Sequence, residues 1–223
     1  TPMPSTVSSF ATPRLLFAAT AITWFAAAPP ASAVEAEVRP HLGRPTLFVD
    51  GKPLTLAAYS PAGFSNRKVF QQQLSHFLAQ PLNAYFLCIG SAKQQPDEPA
   101  DFWATPFWRG DTISPEPLTE FNLPPDEQAE TILDRDPKSL LIVRFSARKP
   151  ESWRRLHPDQ SVVTDAGETL PHASLASDLF WDDCGRCAAA AIEYSEGRPW
   201  ADRIVGYANF LRLEGTHEPM LHY

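Results

Sequence analysis

Apolar residues fall into short blocks whose spacing changes along the chain. Thr46-Leu47-Phe48-Val49 and Pro53-Leu54-Thr55-Leu56 flank Asp50-Gly51-Lys52. Asp-Gly between apolar runs predicts a β-hairpin, because the residues at its tip must tolerate positive φ. The second arm runs on through Ala57-Ala58-Tyr59 as a first sheet strand, closed by Ser60-Pro61. Val69, Phe70, Leu74, Phe77 and Leu78 mark one face of a helix over 69–78. Asn83 to Ile89 and Ser139 to Phe145 are continuous apolar runs, the pattern of parallel strands buried on both faces. Between them, Pro124-Pro125-Asp126 opens a short helix through Leu133, since proline suits a first helical turn. Asp182 to Glu196 reads as a helix with two acids at the positive end of its dipole, and Asp202 to Tyr207 leads into a fourth strand.

The order is therefore hairpin, β, α, β, α, β, α, β, an alternation that implies an α/β fold with a parallel sheet and crossover helices. Doubly wound folds and barrels both satisfy it. No G-x-G-x-x-G and no P-loop follows any strand, so nothing favours a nucleotide-binding fold. Two irregular stretches interrupt the alternation. Ser91 to Pro125 holds seven prolines together with Phe102, Trp103, Phe107 and Trp108, and is expected to be an ordered loop lining a cleft. The other runs from the third strand to about Ser177 and reads as a polar loop.

Composition narrows the class. With 223 residues, 43% of them apolar, and with 14 Phe and 6 Trp, the chain can bury a substantial core. A formal charge of −7 and scattered Lys and Arg exclude nucleic acid as the expected partner. Arg14, the apolar run Leu15 to Ala28 and the small residues Ala31-Ser32-Ala33 together predict a cleaved export signal over 1–33. About fourteen apolar residues fall short of the roughly twenty a spanning helix requires, so no membrane span is expected after cleavage. The expected location is secreted or periplasmic.

Three cysteines, Cys88, Cys184 and Cys187, are too few for a disulfide framework. Cys184-Gly185-Arg186-Cys187 is a C-x-x-C that opens the expected helix, where a helix N-terminus lowers thiol pKa. Asp182 and Asp183 oppose that shift, and Ala188 to Ile192 fits plain helix packing, so small buried thiols are the favoured reading. His217-Glu218-Pro219-Met220-Leu221-His222 departs from the zinc-protease H-E-x-x-H, because its second histidine falls at i+5 and Pro219 spoils a helix interior. No metal and no cofactor is expected.

Several stretches, taken in order, resemble clan A glycoside hydrolases, especially bacterial β-galactosidase-like barrels of family 42. Gly43 to Pro53, with its Asp-Gly-Lys-Pro turn, is similar to the hairpin before the first barrel strand. Leu141-Ile142-Val143-Arg144-Phe145, followed by Pro150, Trp153 and His157-Pro158-Asp159, resembles the third strand and its loop. Ser174 to Ser177 with Trp181 resembles the segment before the third helix, and Asp202 to Tyr207 followed by Glu214-Gly215-Thr216-His217-Glu218 resembles the fourth strand and its catalytic loop. The likeness spans about Gly43 to Glu218. It implies a partial (β/α)8 barrel: a hairpin segment over 34–56, then the first four β/α units over 57–223. Two departures stand out. No Asn-Glu pair is present where the clan has one, and the sequence ends where strands five to eight would follow.

Glycoside hydrolysis needs two carboxylates across the scissile bond, about 5 Å apart in retaining enzymes. By resemblance, Glu218 is the first candidate for the acid/base and Glu214 the second, with solvated loop glutamates as the alternative. The resemblance places the nucleophile on a seventh strand, for which this sequence offers no candidate. Arg144 is expected at a strand end, holding sugar hydroxyls or orienting a carboxylate, or else simply ion-paired. Trp103, Trp108 and Trp153 are candidate stacking faces for sugar rings, with loop packing as the alternative. Tyr59 and Asn209, near the ends of the first and fourth strands, are further substrate-binding candidates. The expected partner is a carbohydrate, and the expected function is β-galactosidase-type hydrolysis, inactive in this chain alone. A non-catalytic carbohydrate-binding or interaction protein derived from such a barrel is the rival.

Overall fold

The structure, a computed structural model, describes residues 33–60, 66–90, 105–118, 123–146 and 149–209. Three antiparallel strands come first: β1 (Ala36–His41), β2 (Arg44–Val49) and β3 (Lys52–Leu54). The β2–β3 turn is the expected one, with φ of 49° at Asp50 and 73° at Gly51, both positive as a two-residue I′ turn requires. The β1–β2 turn repeats this device at Leu42 and Gly43, with φ of 51° and 77°. The sequence reading missed β1. Its Ala-Glu-Val-Arg-Pro-His run is almost wholly exposed, and its apolar positions are only Ala36 and Val38 before Pro40, a weak signal beside the longer apolar runs.

A four-stranded parallel sheet forms the centre: β4 (Ala58–Tyr59), β5 (Ala84–Ile89), then, after the small hairpin of β6 (Trp108–Arg109) and β7 (Thr112–Ile113), β8 (Leu140–Phe145). A second hairpin, β9 (Ser161–Val163) with β10 (Thr169–Ala173), precedes the last sheet strand, β11 (Ile204–Asn209). Strand order across the sheet is β4-β5-β8-β11, so spatial order follows chain order without reversal. The helices are α1 (Arg67–Phe77), α2 (Pro125–Leu133), α3 (Glu151–Leu156) and α4 (Asp178–Glu196). The mixed α/β class and the parallel sheet are thus as expected. The segment read as one polar loop after β8 instead holds α3 and the β9–β10 hairpin.

The two sheet faces differ, and alternation along the strands explains how. Tyr85, Leu87 and Ile89 of β5 and Leu141, Val143 and Phe145 of β8 share one buried cluster with Phe70 and Leu74 of α1, Ala129 and Ile132 of α2, and Ala190, Ala191 and Tyr194 of α4. Three helices therefore cover this one face. Ala84, Leu140 and Ile142 belong to the opposite cluster, packed with Phe86, Val205 and Ala208 and with Val49 and Leu54 of the N-terminal strands. Because Ala84 and Leu140 open their strands, the three-stranded unit lies against the N-terminal ends of the sheet on that face.

Side-chain caps and clamps set the element boundaries. Asn66 caps α1 by accepting from the Val69 backbone N–H at 3.1 Å, and Ser177 caps α4 by accepting from Phe180 at 3.0 Å. Helix α4 accordingly begins four residues before the expected Asp182. Asn83 accepts from Ala57 N–H and donates to the Thr55 carbonyl, both at 3.0 Å, tying the approach to β4 onto the start of β5. Strand β4 covers β5 only at Ala84 and Tyr85. Further along, the buried Gln128 of α2 takes over: its amide accepts from Cys88 N–H and donates to Cys88 C=O, both at 2.9 Å.

Candidate functional site

The C-terminal ends of parallel strands gather unpaired backbone groups and the loops that follow, which is why α/β proteins place ligand sites there. Here that edge carries Ser60 after β4, Cys88 and Ile89 on β5, Arg144 and Phe145 on β8, and Asn209 closing β11. Arg144 pairs in register with Cys88 on one side and Ala208 on the other. By alternation it shares the face of Leu140 and Ile142, opposite the one that α1, α2 and α4 cover. Its Nη1 donates to Ser60 Oγ at 3.1 Å, so the guanidinium bridges two strands away from its own. A planar guanidinium fork at a strand end is a group whose chemistry suits hydroxyl or carboxylate oxygens. The Cys88 thiol in the same register row is pushed up to about 11, burial outweighing the opposing pull of Arg144.

The other predicted site residues fall elsewhere. Tyr59 turns to the helix face: its ring stacks on Phe77 with centroids 3.6 Å apart, and its hydroxyl hydrogen-bonds Gln73 at 3.2 Å. Burial raises the Tyr59 phenol above its ordinary value. It does not share a face with Arg144, because odd and even strand positions point to opposite sides. Trp108 and Trp153, expected as sugar-stacking faces, are core residues with 1% and 0% exposure. Neither ring offers a face to a ligand. Their polar ends are also taken: Trp108 Nε1 donates to the Gly110 carbonyl at 2.5 Å, and Trp153 Nε1 to Asp183 Oδ2 at 2.7 Å. The physical reason is their size: indoles this large contribute most when fully buried with the N–H satisfied. Asn209 ends β11 opposite Phe145. Trp103, Glu214 and Glu218 lie outside the described residues, as do the His217–His222 motif and the expected export signal up to residue 32.

The two tryptophans belong to a second cluster with Phe180, Cys184 and Cys187. Into it Lys149 inserts an ammonium, the residue being only 2% exposed. Its Nζ lies 3.7 Å from Cys187 Sγ, hydrogen-bonds Cys184 as well, and sits 5.4 Å from the Trp108 ring centroid and 5.8 Å from that of Phe180. Asp183 is buried beside them, accepting from Trp153 and from Arg186 Nη1 at 2.8 Å. Burial pushes the Cys184 thiol up to about 11 and raises Cys187 as well, against the lowering effect of Lys149. The cysteines stand in the second and third turns of α4 rather than at its start, so the helix N-terminus does not activate them. Lys149 falls in the stretch read from the sequence as a polar loop. Nothing in the pattern marks a lysine as buried.

Among the described residues, no group of three or more His, Cys, Asp and Glu is placed to hold a metal ion, and no helix is long and apolar enough to cross a membrane. The fold and edge geometry define a mixed α/β protein with a four-stranded parallel sheet. No family model and no curated protein matches the chain. Among solved structures, it is similar to a hypothetical protein from Ruminiclostridium thermocellum, with 13% identity and a TM-score of 0.37 over 63% of this chain and 71% of that one.

Proposed function

We propose that the protein is an exported carbohydrate-active chain of β-galactosidase type, its sheet being the first four strands of a (β/α)8 barrel. One observation carries the reading. The four parallel strands run in chain order with α1, α2 and α4 on one face, while Arg144 stands at the strand ends on the other. A doubly wound sheet would reverse its strand order and carry helices on both faces. A barrel keeps chain order, keeps its helices outside and places its substrate at the C-terminal ends of the strands. In this reading the Arg144–Ser60 pair binds sugar hydroxyls, the N-terminal three-stranded unit closes the opposite end, and Glu218, with Glu214 as second choice, supplies the acid/base. Trp108 and Trp153 are packed away, which leaves Trp103 as the tryptophan platform of this reading.

Sugar binding at the strand ends is the behaviour that this reading puts to the test first. Calorimetric titration of galactose and lactose tests the reading. Arg144→Met should weaken binding at least about tenfold, the effect of losing a charge-assisted hydrogen bond of about 1.5–3 kcal/mol. Absence of binding by any galactoside, or binding indifferent to Arg144→Met, would overturn it.

A further inference from the structure

We propose that Lys149 and Cys187 form an oxidative modification site, at which dioxygen joins Nζ to Sγ through a single bridging oxygen. The carrying observation is the juxtaposition itself. Lys149 is buried, its Nζ lies 3.7 Å from Cys187 Sγ, and its other described neighbours are a second thiol and two aromatic faces. A lysine so buried would ordinarily be matched by a carboxylate. Asp183, the nearby buried acid, instead accepts from Trp153 and Arg186.

The balance is simple. Nζ gives up one N–H and the thiol its S–H as N–O and O–S bonds form. One oxygen atom of dioxygen becomes the bridge and the other leaves as water. If Lys149 starts as the ammonium, one further proton is released. Dioxygen is reduced, and sulfur and nitrogen are oxidised. Small and uncharged, the oxidant does not need the open, electropositive surroundings that activate cysteines toward larger reagents.

The competing product is a Cys184–Cys187 disulfide, and helix geometry disfavours it. Side chains three residues apart on a helix have Cβ atoms about 5–6 Å apart, whereas a disulfide needs roughly 3.5–4.5 Å. Both cysteines lie inside the nineteen-residue α4, packed against the sheet, so closing that gap would distort the helix. The lysine stem is flexible and closes the gap to sulfur without moving backbone. The bridge would fasten the segment after β8 to α4. Cys88, a thiol also raised by burial but neighboured by Arg144, is an internal control without a reactive amine.

The experiment is intact-mass measurement and peptide mapping of the folded full chain after prolonged exposure to dioxygen, before and after dithiothreitol. The expected product gains one oxygen and loses two hydrogens, links the Lys149 and Cys187 peptides, and reverts on reduction. Lys149→Arg and Cys187→Ser should abolish it, while Cys184→Ser should leave it intact. Lys149→Arg keeps the charge, and the circular dichroism and melting temperature of each variant are read alongside the mass, so loss of the crosslink in a variant that keeps the parent fold is loss of the amine or thiol itself. Loss of two hydrogens without oxygen, addition of two or three oxygens to Cys187 alone, or an unchanged mass would each overturn the proposal.

Discussion

The helix-covered face of the sheet and the Lys149 cluster are both buried, yet they solve burial in opposite ways. Leu87, Leu141 and Val143 have no polar side-chain atoms to satisfy and are held by area removed from water and by close packing. Around α4, by contrast, Trp153, Asp183, Lys149, Cys184 and Cys187 bring donors and acceptors inside, with Trp153 matched to Asp183 and Lys149 to Cys187 at specific distances. The first arrangement tolerates small shifts. The second depends on individual bonds, so it should fail through single atoms rather than through lost volume.

Volume loss should be the larger effect. Leu141→Ala, at a position with 0% exposure between β5 and β11, should cost about 3 kcal/mol through lost transfer energy and the cavity left behind. Denaturant unfolding should show a lower midpoint with an unchanged slope. A loss under about 1 kcal/mol would mean that this face is not tightly packed.

Atom loss comes next. Asp183→Ala should cost about 2 kcal/mol, because it strands the indole N–H of Trp153, a residue with 0% exposure. The Arg186 partner adds little, since that side chain is 57% exposed. Asp183→Asn returns an acceptor of the same shape and should recover most of the loss. Equal damage from Asn and Ala would show that the carboxylate acts through its charge, and the contrast between the two regions would weaken.

How visible each region was in the sequence follows the same division. The sheet core was legible because Leu140 to Phe145 is a continuous apolar run and because Phe70 and Leu74 recur at helical spacing. The Asp50-Gly51 turn was legible because few residue pairs accept positive φ twice. The α4 cluster was not. Leu179, Phe180 and Trp181 precede the acids taken for a first turn, although Ser177 was available as a cap. Trp108 sits in a two-residue strand and Trp153 in a six-residue helix, elements too short for periodicity to separate a buried ring from an exposed one. The Arg144 position at a strand end was legible, whereas its partner Ser60 read only as a stop. No rule of spacing announces a contact across 84 residues of chain.

The smallest effect is alkaline, and it compares one thiol from each region. Burial holds both Cys88 and Cys184 at about 11 in the folded chain, above the ordinary thiol value near 9. The unfolded chain therefore sheds these protons first as pH rises. Folding then binds more protons than unfolding does, and stability falls with pH across the window from about 9 to 11. Below that window the thiols contribute their full share, because both states are protonated. Each thiol has a cation nearby that favours its ionised form, Arg144 for Cys88 and Lys149 for Cys184, and in both cases burial outweighs it. Serine at either position removes one titrating group, so Cys88→Ser and Cys184→Ser should each flatten the alkaline fall in melting temperature by a similar amount. Both variants falling as steeply as the parent chain would locate the alkaline sensitivity in other groups, with the Tyr194 phenol, raised by burial to about 12, as the next to replace.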